Sequence, residues 1–126
     1  MVVLDTSALL FWTLDREQLS ASAAEAIRNS DRVVVSSIAI WEIGIKVKRG
    51  KLTIPISARE YAERLRGVDK VEIIPVDELT WIDSIDLDWE HRDPADRVMV
   101  ATAKRFGCPL VTSDGVISRF YSRSVW

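Results

Sequence analysis

Carboxylates stand at four places where the neighbouring residues give them something to do. Asp5 closes the apolar run Val2-Val3-Leu4, and Asp114 lies two residues beyond Leu110-Val111-Thr112. Glu42 interrupts the apolar stretch Ile40-Trp41-Glu42-Ile43-Gly44-Ile45, where a charge is costly without a partner. Asp93 and Asp96 are three residues apart, a spacing that puts both on one helix face. Were these acids to converge, two unit charges about 4 Å apart would repel by on the order of 4 kcal/mol at an effective dielectric of 20. Such a cluster must be protonated, paired with cations or filled by a metal. Hard oxygen ligands without His or Cys suit Mg²⁺ or Mn²⁺ rather than zinc. The chemistry that fits is metal-assisted phosphoryl transfer. Each acid also has a purely structural use: Asp5 and Asp93 as helix caps, Asp96 in a first helical turn, Asp114 as a turn residue before Gly115. Glu42 is the hardest of them to explain in that way.

The elements that must position these acids alternate. Val2-Val3-Leu4 reads as a buried strand, followed by a helix over Ala8 to Leu14. Ser22-Ala23-Ala24-Glu25 has the capping-box pattern and opens a second helix to about Asn29. Val33-Val34-Val35 is a β-branched strand, and Ser36 or Ser37 caps a long helix over Ile38 to Arg49 that Gly50 closes. Leu52 to Ile56 is an extended connector, and Ser57-Ala58-Arg59-Glu60 opens a helix to about Arg66, ended by Gly67. Val71 to Val76 is a third strand, and residues 78 to 90 hold one or two short helices. Asp93 caps a helix with Pro94 in its first turn, running to Phe106 and stopped by Gly107. Leu110-Val111-Thr112 is a fourth strand, and the tail holds a helical turn and a last edge strand. This alternation predicts a mainly parallel sheet of four to five strands between two helical layers, in one domain spanning 1–126. In such folds ligands sit beyond the carboxyl ends of the strands, the edge on which these acids fall.

Composition removes several function classes. Lys and Arg total 17 and Asp and Glu 19, a net charge of −2, so the chain is no general nucleic-acid coat. Hydrophobic residues at 48% and charged residues at 29% are those of a globular protein and exclude a disordered one. No apolar run approaches the roughly 18 residues of a membrane span. The start, Met1-Val2-Val3-Leu4-Asp5, lacks the basic flank of a secretory signal, and one cysteine, Cys108, forms no internal disulfide; a cytoplasmic protein is expected. Cys108 reads as a buried thiol, and His91, the single histidine, as a surface or packing residue that excludes a two-histidine ribonuclease mechanism.

The chain resembles the PIN-domain ribonucleases, and among them the VapC-type toxins of toxin–antitoxin pairs. Four segments carry the resemblance, in order and over nearly the whole chain: Met1 to Leu10 with Asp5, Ser36 to Leu52 with Glu42, His91-Arg92-Asp93-Pro94-Ala95-Asp96-Arg97, and Leu110-Val111-Thr112-Ser113-Asp114. Ala95 departs from the bulky aromatic common in this subgroup.

The resemblance implies a PIN-like three-layer α/β/α fold and a Mg²⁺-dependent endoribonuclease, with Mn²⁺ as a substitute. Asp5, Glu42, Asp96 and Asp114 are then the catalytic acids. Asp5 and Asp96 would hold the ion directly, Asp114 directly or through water, and Glu42 as a ligand or as the group orienting the attacking water. Asp93 is a cap and an outer ligand. Thr6, Thr112 and Ser113 would support the carboxylates or a phosphate. Lys46, Lys48, Arg49 and Lys51, with Arg97, form the expected RNA-contacting set, to which Arg92, Lys104 and Arg105 add. The implied partners are a structured RNA such as a tRNA, a second copy of the chain, and a VapB-type antitoxin that blocks the acids with an arginine. Leu9, Leu10, Phe11, Trp12 and Trp41 exceed what one small core needs and offer a groove for it. Two other readings compete: a catalytically silent PIN-like binding module, and a Mg²⁺-dependent phosphatase of the haloacid dehalogenase type. The phosphatase needs a second acid two residues after the first, where this chain has Ser7.

Overall fold

Three strands of the chain are too short and too apolar to exist outside a sheet. In the computed structural model, which describes residues Met1–Trp126, they pair with two others into one five-stranded parallel sheet. The strands are β1 (Val2–Leu4), β2 (Val33–Ser36), β3 (Val71–Ile74), β4 (Leu110–Val111) and β5 (Ser124–Val125), in the order β3-β2-β1-β4-β5. Seven α-helices connect them: α1 (Thr6–Leu14), α2 (Ala21–Arg28), α3 (Ser37–Lys48), α4 (Ala58–Arg66), α5 (Glu78–Ile85), α6 (Pro94–Phe106) and α7 (Gly115–Phe120). Val3, Leu4, Val33, Val34, Val35, Leu110 and Val111 are fully buried, as strands covered on both faces require.

The strand order places the acids. From β1 the chain steps outward to β2 and β3, then returns past its start to β4 and β5. Right-handed crossovers in opposite directions put α1 to α4 on one face and α5 to α7 on the other. The reversal falls between β1 and β4, which pair through Val3 with Leu110 and Leu4 with Val111. A cleft opens where connections leave adjacent strands to opposite sides. Asp5 follows β1 and Asp114 follows β4, so both border it.

Local signals set most element ends. Ser36, Ser57 and Asp93 cap α3, α4 and α6 through their side chains, and Gly107 closes α6 in the left-handed region at φ 61°. Two ends fall elsewhere. α2 is capped by Ser20, whose hydroxyl accepts from the Ala23 N–H, rather than by Ser22. That start turns Ala23 and Ile27, an i,i+4 pair, into the core. α1 begins at Thr6, because Asp5 itself caps it. α6 is buried on most of its circumference, from Ala95 to Ala103, which its alanines and Val98, Met99 and Val100 permit between sheet and neighbouring helices. No helix is long and apolar enough to cross a membrane.

Candidate active site: an acid recess at the strand ends

Helix caps bring the carboxylates to one place. A strand that ends in Asp can pass directly into a helix, because the carboxylate accepts an otherwise unpaired N–H of the first turn. Asp5 accepts from Ala8 N–H at 2.8 Å, Asp93 from Asp96 N–H at 3.0 Å, and Asp114 from Val116 N–H at 2.8 Å. The capping use and the site use of these acids therefore coincide. Asp96 enters from the first turn of α6 and Glu42 from the second turn of α3. Together Asp5, Glu42, Asp93, Asp96 and Asp114 line a recess of about 340 Å³ with Thr6, Ser7, Lys46 and Ser113, and no apolar side chain. Five carboxylates face one lysine there.

Glu42 has the partners that its apolar surroundings demand. The Thr6 hydroxyl donates to its Oε1, and Lys46, one turn on, lies 3.8 Å from its Oε2. Thr112 is buried and accepts the Asp114 N–H at 3.0 Å, which fixes the turn after β4. Ser7 was not anticipated as a lining residue; its place directly after Asp5-Thr6 was the available signal.

The electrostatics follow from burial and crowding. Asp5 is only 6% exposed, and its carboxyl is pushed up to about 6. Burial is the main cause; Thr112 and the Ala8 N–H pull the other way, and the charges of Asp96 and Asp114 add to the rise. Asp96 is raised too, again chiefly by burial, with His91 opposing and Asp93 and Asp114 reinforcing. A recess of oxygen ligands with excess negative charge, in which burial and like charge raise two acids, fits a divalent cation.

The expected cage of four ligating carboxylates is not closed. No group of three or more acids, His or Cys stands within metal-ligating range of a common point. The side chains are instead engaged elsewhere: Glu42 accepts from Thr6, and the three capping aspartates accept from their helices. An open arrangement still suits Mg²⁺, which keeps several waters and takes one or two carboxylates.

Three sequence expectations are corrected. Arg97 does not face RNA: its guanidinium donates to the carbonyls of Ser84, Ile85, Leu87, Trp89 and His91, so no N–H remains for phosphate. Arg105 is likewise committed, to Asp83 of α5 at 2.8 Å and to Asp77, the N-cap of that helix, at 3.6 Å. His91 is not a mere packing residue, because its Nε2 lies 2.7 Å from Asp96 Oδ2. Lys48, Arg49 and Lys51 are exposed around the end of α3 but do not line the recess; of that run only Lys46 does. Leu9 belongs to the core, whereas Trp41 is 59% exposed beside Ile38, Val76, Trp81 and Pro94 in a mostly apolar pocket. Cys108 is buried, and burial pushes its thiol up.

Comparison with known proteins agrees with this geometry. The PIN domain model matches residues 2–122. Ribonuclease VapC22 of Mycobacterium tuberculosis is 30% identical over 117 residues, covering 90% of this chain and 86% of that protein. Two solved structures share the fold. One is a toxin–antitoxin complex from Klebsiella pneumoniae, at TM-score 0.69 and 16% identity over 100% of this chain and 97% of that one. The other is VapC20 of Mycobacterium tuberculosis, a toxin that cleaves the sarcin–ricin loop, at TM-score 0.66 and 18% identity over 94% of each chain.

Proposed function

The chain belongs to the PIN-domain family and is of the VapC type, and on that premise we propose that it is the ribonuclease toxin of a toxin–antitoxin pair, cutting RNA phosphodiester bonds with Mg²⁺ or Mn²⁺. The observation that carries the reading is the recess itself: five carboxylates and one lysine at the β1/β4 reversal, with Asp5 raised to about 6.

Asp5 and Asp96 are the acids to hold the ion, with Asp114 beside them and Asp93 as cap and outer neighbour. A divalent ion bound there would supply a nucleophilic water at neutral pH and offset charge on the phosphoryl oxygens. Glu42, held by Thr6 and Lys46, orients the attacking water and accepts its proton. Lys46 is the one cation placed to meet a phosphate in the recess, and Ser7 and Ser113 offer hydroxyls beside it. No step uses the RNA 2′-hydroxyl as nucleophile, so the product carries a 5′-phosphate. His91 touches an acid of the site through its Nε2.

The partners follow from the same surfaces. The uncompensated acids suit an arginine of an antitoxin of the VapB type, which supports that partner. The exposed apolar side chains of α5, Leu79, Trp81, Ile82 and Ile85, support a second copy of the chain as their cover. An RNA substrate supports a cytoplasmic location. Nothing favours the phosphatase, since family membership lies elsewhere and Ser7 stands where its second acid is needed.

The test is cleavage of a pool of structured RNAs by the purified chain with Mg²⁺, with product ends identified. Cleavage that leaves 5′-phosphates and is lost in Asp5→Asn and Asp96→Asn is expected. Undiminished cleavage in either variant rejects this mechanism, and no cleavage by the wild type under any divalent ion rejects the reading in favour of a silent binding module.

A further inference from the structure

Arg97 sits next to a candidate metal ligand yet turns its whole side chain away from the recess. Its Nε donates to Ser84 O at 2.9 Å, Nη1 to Trp89 O at 2.6 Å and His91 O at 2.8 Å, and Nη2 to Ile85 O at 3.2 Å and Leu87 O at 2.9 Å. A guanidinium has five N–H groups, and here five carbonyls of one short stretch take them all. Two of those carbonyls belong to the last turn of α5, where a helix leaves acceptors unpaired and favours a cation. The other three stud the segment between Ile85 and Pro94, which makes a single backbone bond of its own, Trp89 N–H to Leu87 O. Arg97 therefore supplies the hydrogen bonding that no helix or strand supplies there.

That segment ends at the acids. His91 is held from both ends by consecutive residues of α6: its carbonyl by Arg97, and its ring Nε2 by Asp96 Oδ2 at 2.7 Å. Two residues earlier, the Trp89 ring stacks on Phe120 of α7 at 4.5 Å and 9°, and lies 4.8 Å from the His91 ring. The segment thus ties α6 to α7, the two helices whose N-termini carry Asp96 and Asp114.

We infer that Arg97 is a positioning residue for the site: through the 84–91 main chain it presents His91, and His91 fixes the direction of the Asp96 carboxylate in the recess. The inference rests on the nuclease reading in that it takes Asp96 as a cation ligand. A lysine cannot replace Arg97, because three N–H groups on one nitrogen do not span five carbonyls.

The experiment uses the full chain and reads Mn²⁺ affinity, by electron paramagnetic resonance of free Mn²⁺, beside RNA cleavage. Arg97→Lys and His91→Ala are each expected to weaken Mn²⁺ binding by about 10- to 100-fold, the usual reach of groups that orient a ligand. Both should lower kcat while leaving KM for RNA unchanged. His91→Gln, which keeps an N–H donor, should recover most of both losses. A residue that only stabilised the fold would lower the melting temperature without touching Mn²⁺ affinity below the melt. If Arg97→Lys does not fold, His91→Ala and Trp89→Leu decide by the same readout. Wild-type Mn²⁺ affinity in the folded Arg97→Lys and His91→Ala proteins overturns the inference, as does a loss in Arg97→Lys that His91→Ala does not share. A wild type that binds Mn²⁺ but cuts no RNA removes the nuclease reading alone, and the Mn²⁺ series still decides. A wild type that binds no Mn²⁺ overturns both.

Discussion

Asp5 and Asp77 hold the same station in two different helices. Each is an N-cap, Asp5 accepting from Ala8 N–H and Asp77 from Thr80 N–H, both at 2.8 Å. Their chemistry diverges. Asp77 is held below the ordinary carboxylate range, first by the Thr80 hydroxyl and the Thr80 N–H, with Arg105 adding to it. Asp5 is raised to about 6 because it is buried among Asp96 and Asp114 without a cation of its own. The same contrast runs along α6. At its C-terminal end Arg105 pairs with Asp83 and Asp77; at its N-terminal end Asp93 and Asp96 join three further acids with only Lys46 among them. Capping is a local property of a residue and its helix. Readiness for a cation comes from burial and from like charges left unpaired, which the rest of the fold imposes.

The comparison is broken most directly by neutralising each cap in turn. Asp5→Asn is expected to reduce RNA cleavage by on the order of 10³-fold, the upper scale for one preorganised electrostatic group, whereas Asp77→Asn should leave the rate unchanged. Single-turnover cleavage of one RNA substrate checks both, and equal losses would end the distinction.

Stability should move the opposite way. Asp5 binds its proton more tightly in the fold than in the unfolded chain, whose carboxyl sits near 3.8. The metal-free protein is therefore expected to lose stability as pH rises from about 4 to about 6, by up to about 3 kcal/mol from this group, and no further above that. Asp5→Asn keeps a capping oxygen and removes this dependence. Urea melts of both proteins across pH 4–8 give the difference, which should be flat above pH 6 and shrink below it.

Loading the recess sharpens the contrast further. Mg²⁺ or Mn²⁺ at about 100 times its dissociation constant should stabilise the wild type by about 2.7 kcal/mol, with little effect on Asp5→Asn or Asp96→Asn. Chelation with EDTA should reverse the gain and stop cleavage. The smallest effect is expected at the paired end: Asp83→Asn should lower the melting temperature slightly and leave ion binding and cleavage as they were, because an exposed ion pair contributes little.

Much of the architecture was readable from short windows. Asp93-Pro94 with Gly107 bounds α6, Ser57 opens α4, and Ser36 opens α3, since a cap needs only the residues beside it. The cap of α2 was misplaced by two residues because Ser20 and Ser22 are both good caps, and the burial of Ala23 and Ile27 chose between them. Asp5 and Asp114 are legible from strand ends, Glu42 from its apolar surroundings, and Asp93 and Asp96 from their i,i+3 spacing, and one recess gathers all five. Basic residues were read less well. Arg97 and Arg105 look like any exposed cations in sequence, and partners such as the Ser84 carbonyl, 13 residues from Arg97, and the Asp83 carboxylate, 22 residues from Arg105, lie too far along the chain to be read with them. His91 gave no sign either, for nothing in its neighbours shows that the chain folds back to set its ring against Asp96.

By itself the sequence determined the alternation of strands and helices and the carboxylate at each critical boundary, because propensity, capping and hydrophobic periodicity act over a few residues. The tertiary structure alone decided that β1 lies beside β4, so that Asp5 and Asp114 face one recess, and that Arg97 turns inward to carry His91 to Asp96. Those outcomes depend on which distant segments bury each other's apolar faces, and on which polar groups are then left to find partners.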